Sequence, residues 1–250
     1  MSRPTDLDSV RLLEERAFAA WPALETVDRR GWRSRFAGGY TKRANSINAL
    51  SYEPEVDDEL IASLEKAYRD RGQTPVWRLT PLAPAGFEAL LDDRGYRSID
   101  PSLVQVCPLA ATFAADPEVT IGEQPSEAWI EAFATWSPVR PEHRPVMRRM
   151  LAAIAAPVGF AFVEEAGRAM AMAIGVVDGD HMGLFDVLVM PHARRRGLAR
   201  RVTESLYAWA WARGARFAYL QVVASNEAAL PLYAAQGFRT VYRYAYRVPA

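Results

Sequence analysis

The residues that could do chemistry concentrate in the last quarter of the chain. Arg194–Arg–Arg–Gly–Leu–Ala199 stands between an apolar run and an expected helix start. A helix start exposes unpaired backbone N–H groups and a partial positive charge, so an anion fits there. Gly197 permits close backbone approach, and small Ala199 keeps the turn open. Arg194, Arg195, Arg196, Arg200 and Arg201 crowd the same end. Cations at a helix N-terminus oppose the macrodipole, so the sequence asks for a compensating anion of pyrophosphate type, the alternative being a solvated basic patch. Downstream, Asn226 and Tyr233 are two helical turns apart and share a face. Asp186 is an acid inside the otherwise apolar run from Met182 to Met190. Burial would raise its pKa toward the range of a general base, although an edge acid paired with an Arg gives the same pattern.

Other chemistries lack their residues. A lone Cys107 excludes an intramolecular disulfide framework and a multi-Cys metal site, and reads as a small buried hydrophobe. His143, His181 and His192 are scattered without an HExxH spacing, so no metal is expected. Neither GxSxG nor GxxxxGK[ST] occurs, which removes the serine-hydrolase and P-loop readings. With 50% hydrophobic and 24% charged residues over 250 positions, the chain is too apolar for disorder and long enough for two small domains. Thirty basic side chains balance thirty acidic ones, so no overall field recruits nucleic acid or membrane. The polar opening MSRPTDLDSVR has no signal-peptide core, and the apolar run Met150–Val163 contains Pro157 and is too short to span a bilayer. A cytoplasmic location is the expectation.

The elements that must position these residues follow from periodicity. From Pro125 to Ile154 the spacing is helical, broken near Pro138 and Pro141. Val158–Glu164, Ala169–Val177 and Met182–Met190 read as strands, with Asp178–Gly–Asp180 as a hairpin turn. The third is apolar almost throughout, hence central and covered on both faces. Leu198, Val202, Leu206 and Trp209 form one stripe of a helix that Gly214 ends. Phe217–Val223 is a buried strand, Asn226–Gln236 a short helix closed by Gly237, and Arg239–Val248 a final alternating strand. The fold class is α/β, an α+β mixed sheet.

An earlier, fainter copy precedes this unit. Leu90–Leu–Asp–Asp–Arg–Gly–Tyr–Arg97 aligns without gaps to Leu232–Tyr–Ala–Ala–Gln–Gly–Phe–Arg239. Before each lie a helix, a strand and a short helix, which reads as duplication. Residues 109–117, Ala-rich and bounded by Pro108 and Pro117, serve as the linker between domains 1–108 and 118–250.

Arg194-x-x-Gly197-x-Ala199 after an apolar strand resembles the [QR]-x-x-G-x-[GA] acetyl-coenzyme A loop of the GNAT N-acetyltransferase superfamily. Asn226-x-x-Ala229-x-x-Leu232-Tyr233-x-x-x-Gly237-Phe238 resembles that family's second signature, and the matching element order covers residues 119–250. The resemblance implies a tandem protein of two GNAT-like domains, each a mixed, mostly antiparallel sheet flanked by helices. It implies transfer of the acetyl group of acetyl-coenzyme A to a primary amine by direct attack in a ternary complex, with no nucleic acid or membrane as partner. On that pattern Val187, Leu188 and Val189 run beside the pantetheine arm, and one of their amides polarises the thioester carbonyl. Arg194, Arg195, Arg196, Gly197, Leu198, Ala199 and Arg200 hold the pyrophosphate, and Asn226 reaches the arm. Tyr233 protonates the departing thiolate, a fitting task for a phenol of pKa about 10. Asp186 is the best-placed base. The alternative is an acyl-coenzyme A sensor or scaffold that binds without transfer.

The N-terminal copy departs from the pattern. Its loop Ser51–Asp58 has no Gly and four acids, and Leu91 stands where the C-terminal copy has Tyr233, so a degenerate, non-catalytic copy is expected. The segment Gly31–Ser46, with Trp32, Arg33, Arg35, Tyr40 and Arg43, resembles a box of bacterial tandem-GNAT proteins and either lines an acceptor pocket or packs the halves together. The loop Trp136–His143 lies where the family shapes its acceptor site.

Overall fold

The computed structural model describes residues 6–51, 54–137 and 139–250; Tyr52 and Glu53 of the acidic loop, Pro138, and the first five residues of the polar opening lie outside the described residues. The first half runs α1 (Leu7–Ala20), β1 (Glu25–Arg29), β2 (Trp32–Phe36), β3 (Ile47–Ala49), α2 (Asp58–Arg69), β4 (Trp77–Leu79), α3 (Phe87–Asp93) and β5 (Tyr96–Pro108). The second runs β6 (Thr120–Gly122), α4 (Glu127–Trp136), α5 (Arg144–Ala152), β7 (Val158–Glu165), β8 (Arg168–Asp178) and β9 (His181–Val189). It ends with α6 (Leu198–Ala212), β10 (Phe217–Val223), α7 (Leu230–Ala235) and β11 (Arg239–Pro249). The expected strands and helices of the second half recur within a few residues. The expected helix from Asn226 is the exception: residues 227–229 form a turn, and α7 proper starts at Leu230.

All eleven strands join one mixed sheet in the order β1-β2-β3-β4-β11-β5-β10-β9-β8-β7-β6. Among the described residues only β3/β4 and β9/β10 are parallel. The last strand of each half lies in the other half's territory: β4 pairs with β11, and β10 pairs with β5. At the centre β5 and β11 run antiparallel, with Arg97 opposite Val248 and Arg239 opposite Val106. Arg97 and Arg239 are the matched positions of the sequence repeat, so this pairing has the regularity of a two-fold axis.

Packing follows the apolar patterns. In α6, Leu198, Val202 and Leu206 are buried as the stripe requires. Trp209 is half-buried instead, its ring covered by the Arg213 guanidinium at 4.3 Å, and Ala210 takes the core position. α6 covers one face of β7–β9. α1, α2, α4 and α5 share the other core, which runs unbroken from Trp32 and Trp77 to Phe160 and Phe185. Cys107 is fully buried at β5, opposite Ala218 of β10. Desolvation pushes its thiol up to about 12, so no thiolate is available as a nucleophile.

One ionic contact crosses the core. Glu14 of α1 and Arg78 of β4 are each 2% exposed and form an ion pair, and the Tyr242 hydroxyl of β11 donates to Glu14 Oε1. The Arg78 guanidinium lies 3.8 Å from the Tyr244 ring centroid. Removing one partner leaves the other charge buried and uncompensated. Glu14→Gln is expected to destabilise the fold by about 3 kcal/mol or more in urea unfolding, and Glu14→Leu with Arg78→Met to recover most of it. A loss below about 1 kcal/mol would show that the pair does little to hold α1 against β4.

Candidate active site

β9 and β10 pair from His181/Phe217 to Leu184/Leu220 and then part. β9 stays bonded to β8 up to Val189, and β10 to β5 up to Val223, so a split opens inside the sheet. Its origin is a bulge. The β8–β9 register shifts between Met172↔Leu188 and Ile174↔Phe185, which leaves an extra residue on β9. Asp186 sits there at φ +48, a conformation that Asp tolerates better than a branched residue. The edge of β9 from 187 to 189 therefore has no strand partner on the side of the split, where the Arg194 side chain donates to the Val189 carbonyl at 3.4 Å.

A cleft of about 840 Å³ continues from this edge to the start of α6 and across to α7. Val187, Leu188, Val189, Arg194 and Arg195 line it, as do Gly197, Leu198, Ala199 and Arg200. Asn226 and Tyr233 form the opposite wall. Arg196 is not in the lining; it pairs with Glu165 at 2.8 Å. Sequence reasoning missed Met190, Pro191 and Ala228 in this wall, together with Thr135 and Trp136 at the end of α4. Trp136 had been placed only in the expected acceptor loop, and small apolar lining residues carry no signal of their own.

The α6 start has the expected anion-binding character, for a narrower reason than the count of arginines. Gly197 caps the helix at φ +78 and Arg195 sits at φ +64, so successive amides turn toward one side. Among the described residues no amide from 195 to 200 has a backbone carbonyl partner. Three of the five guanidiniums are already matched: Arg196 by Glu165, Arg200 by Glu204 at 2.7 Å, and Arg201 by Asp116 and Glu118. The last contacts hold the Arg201 pKa above its ordinary value. Arg194 and Arg195 remain, without a carboxylate partner among the described residues. The demand for an anion thus comes from amides and two cations, not from five.

Tyr233 is placed by the end of α7, where Gly237 adopts φ +88 and the Phe238 amide donates back to the Tyr233 carbonyl. Its ring packs edge-on against Phe238, 5.7 Å between centroids. Burial, reinforced by the charge of Asp186, pushes the phenol up to about 12. Asn226 lines the cleft, and its Oδ1 accepts from the Ala229 amide.

Asp186 lies at the bulge that begins this edge and is not among the residues that line the cleft. Its Oδ2 is sealed from solvent and has no hydrogen-bond partner, and its Oδ1 is 3.9 Å from Arg43 Nη2. Desolvation raises its pKa, and Arg43 opposes the rise. Arg43 belongs to the Gly31–Ser46 box, so that segment packs the halves and also reaches this bulge. In the 136–143 loop, His143 meets the Tyr40 ring at 5.8 Å between centroids. In the first half, Asp57 caps α2 by accepting from the Leu60 amide at 2.7 Å, and Leu91 is fully buried. A carboxylate occupies the position where the second half leaves amides free. Among the described residues no cluster of His, Cys, Asp and Glu could hold a metal, and no helix is long and apolar enough to cross a membrane.

Residues 8–247 match the family described as "Probable histone acetyltransferase Rv0428c C-terminal". The chain belongs to this acetyltransferase family. The "Uncharacterized N-acetyltransferase YobR" of Bacillus subtilis (strain 168) is 28% identical over 254 residues, 97% of this chain and 99% of the relative. A solved structure of a GCN5-related N-acetyltransferase from Kribbella flavida superposes with TM-score 0.66 at 14% identity, covering 96% of this chain and 95% of that one. A tandem GNAT protein from the clavulanic acid biosynthesis pathway superposes with TM-score 0.60 at 13% identity, covering 81% and 74%. The fold of this acetyltransferase is that of the GNAT enzymes.

The electrostatics of Asp186 in the acetyltransferase give a signed prediction. Its folded pKa lies above the unfolded one, so its contribution is full below the unfolded pKa and is lost as pH rises through the folded value. Asp186→Asn should melt above the parent near pH 8, with the difference closing toward about pH 4. Thermal melts across that range test it, and a variant less stable than the parent near pH 8 rejects the burial argument.

Proposed function

We propose that this acetyltransferase moves the acetyl group of acetyl-coenzyme A to a primary amine by direct attack inside the β9–β10 split. The observation that carries this reading is the continuity of the free amides at the α6 start with the open edge of β9 in one cleft, with Asp186 at the bulge where that edge begins. The residues fit the donor. A Cβ at Gly197 would meet nothing within 4 Å, so the loop has open space before its amides. Amides 195–200 with Arg194 and Arg195 hold the pyrophosphate. The 187–189 edge bonds the amide-bearing arm as an added strand would, and one of its N–H groups takes the thioester oxygen. Asn226 donates to the same arm through its side-chain amide nitrogen.

Asp186 takes one proton from the incoming ammonium. The freed nitrogen attacks the thioester carbon; the new C–N bond forms, the C–S bond breaks, and the nitrogen loses its second proton. Tyr233 stays protonated and donates a hydrogen bond to the leaving sulfur. A phenol near 12 is a weaker acid than a thiol of pKa about 8.5, so the sulfur's final proton comes from the far more acidic acylated ammonium. The sum is ammonium plus thioester giving amide, thiol and one released proton. Cys107, buried and protonated, takes no part.

We also read the chain as two repeats, a degenerate unit at 1–108 and a competent one at 118–250, joined by 109–117. The two-fold register of β5 with β11 supports duplication with exchange of the last strands. The Asp57 cap and buried Leu91 support loss of donor binding in the first unit.

Two variants test the site. Gly197→Glu places a carboxylate before the free amides and should weaken acetyl-coenzyme A binding about 100-fold or more, equivalent to about 2.7 kcal/mol. The left-handed φ adds about 1–2 kcal/mol of strain, so calorimetric titration is paired with circular dichroism; unchanged affinity in a folded variant rejects the loop assignment. Tyr233→Phe should lower kcat about tenfold or more with the acetyl-coenzyme A Kd unchanged. An equal loss of binding would make Tyr233 a packing residue.

A further inference from the structure

Arg43 serves two places at once. It faces Asp186 Oδ1 across 3.9 Å, and it lines a second cavity of about 250 Å³ between the turn at 41–43 and strands β5, β10 and β11. The 3.9 Å separation exceeds the roughly 2.7–2.9 Å of a charge-assisted hydrogen bond, so the two charges face each other without closing. The guanidinium is held instead by ring faces, 5.3 Å from the Trp21 centroid and 5.7 Å from that of Phe185. Lys42 lies beside it in the same lining, 3.0 Å from Asp100 Oδ2. Two cations therefore meet one acid around the cavity. Gln221 and Val223, on the opposite wall, come from the part of β10 that has already left β9. Arg43 links the cavity to Asp186, which is not itself in the lining.

Its walls are fixed before any ligand arrives. Buried Arg35 donates to the carbonyls of Arg43, Phe18 and Trp21. Asn45 donates to the carbonyls of Tyr40 and Thr41 at 2.7 and 2.9 Å and accepts from the amides of Ala37 and Gly39. Trp21 Nε1 donates to Thr41 Oγ1 at 3.1 Å. Bonds of this kind remove the ordering cost that a loose loop would add to binding.

We propose that this cavity is the acceptor subsite and that the acceptor is a small amine bearing a carboxylate, an amino acid in type, its carboxylate on Arg43 and Lys42 and its amine at Asp186. The proposal rests on the transferase reading above and names its second substrate. In an α-amino acid the two charged groups share one carbon, so one ligand can answer both facing charges of the Arg43–Asp186 gap. A volume of about 250 Å³ is below the ~300–1,000 Å³ of drug-sized sites, which suits a compact metabolite rather than a peptide segment. A basic tail would also bring positive charge against Lys42 and Arg43, a repulsive element that discriminates against it.

The test uses the whole chain with coenzyme A. Each proteinogenic L-amino acid, its methyl ester and a lysine-rich peptide are compared for thermal stabilisation of the coenzyme A complex, then for thiol release from acetyl-coenzyme A. An ester has the less basic amine and is deprotonated more readily, so preference for the free acid reports recognition of the carboxylate. One or more amino acids should exceed their own esters at least tenfold in kcat/KM. Arg43→Met and Lys42→Met should each cut that ratio at least tenfold through KM, with the Kd for acetyl-coenzyme A unchanged; Lys42, 42% exposed, is replaceable without disturbing the core. Preference for esters or for the peptide, or a ratio untouched in both variants, overturns the proposal. So does acetyl-coenzyme A binding accompanied by no stabilisation or turnover with any amino acid. A chain that binds no acetyl-coenzyme A overturns the donor reading and this proposal with it.

Discussion

The structure depends on where β5 and β11 lie. Each is the last strand of its own half, and each completes the sheet of the other. Without β5, residues 221–223 of β10 would have no strand partner, since β9 has parted from them there. A strand end paired on neither side is open to pairing with another chain. β5 holds it by bonding β10 through to Val223. The far bank of the split is therefore fixed by a strand from the first half. The Glu14–Arg78 pair and the Tyr242 hydroxyl add a directional tie to this arrangement, binding α1, β4 and β11 at one buried point.

The bulge at Asp186 converts that architecture into chemistry. Strand pairing alone would bury an acid at this position beside its neighbours on β10. The extra residue bends β9 away, puts Asp186 in a left-handed conformation and leaves one carboxylate oxygen without a partner. Each of these costs folding free energy, and the facing Arg43 guanidinium offsets part of the cost of the charge. On the proposed reading, the strain and the unmatched polar group at this residue serve proton transfer. Tyr233 and Tyr40 both feel the Asp186 charge, Tyr233 from the donor side and Tyr40 from the first half. The carboxylate is thus addressed from both halves of the molecule.

Much of the second half could be read in the sequence because its signals are local. Gly197, Gly214 and Gly237 end or begin helices where their φ values require, and the apolar stripes of α6 and β9 have the right periods. The lining contributed by Val187–Val189, Arg194, Arg195, Gly197, Leu198, Ala199, Asn226 and Tyr233 followed from two short motifs and the strand before them. What stayed hidden is long-range. Nothing in the spacing of Tyr96–Pro108 says that it pairs with β10 instead of β4, because both edges are apolar and antiparallel. The charges of Arg196, Arg200 and Arg201 looked free in sequence; their partners Glu165 and Asp116 come from the β7–β8 turn and the segment before β6. Arg43 could be placed in a box of aromatic and basic residues, but its approach to Asp186 exists only after the halves close.

If the first half is read as a degenerate copy, as proposed above, the same closure gives it a physical reason to persist without a donor site of its own. Asp57 satisfies the α2 N-terminus from within the chain, so no anion is needed there. Once that helix start is capped internally, the surrounding loop is under no requirement to keep cations, and its acids pair with Arg30 instead. What the first half must still supply is rigidity on the other side of the split: Arg35 and Asn45 fix the 37–45 segment through backbone carbonyls, which any side-chain change at the surface leaves intact. That segment sets Arg43 against Asp186 and Lys42 at the cavity mouth. On the proposed reading, donor and acceptor are then bound by different halves, and the reaction occurs only where the exchanged strands hold the two together.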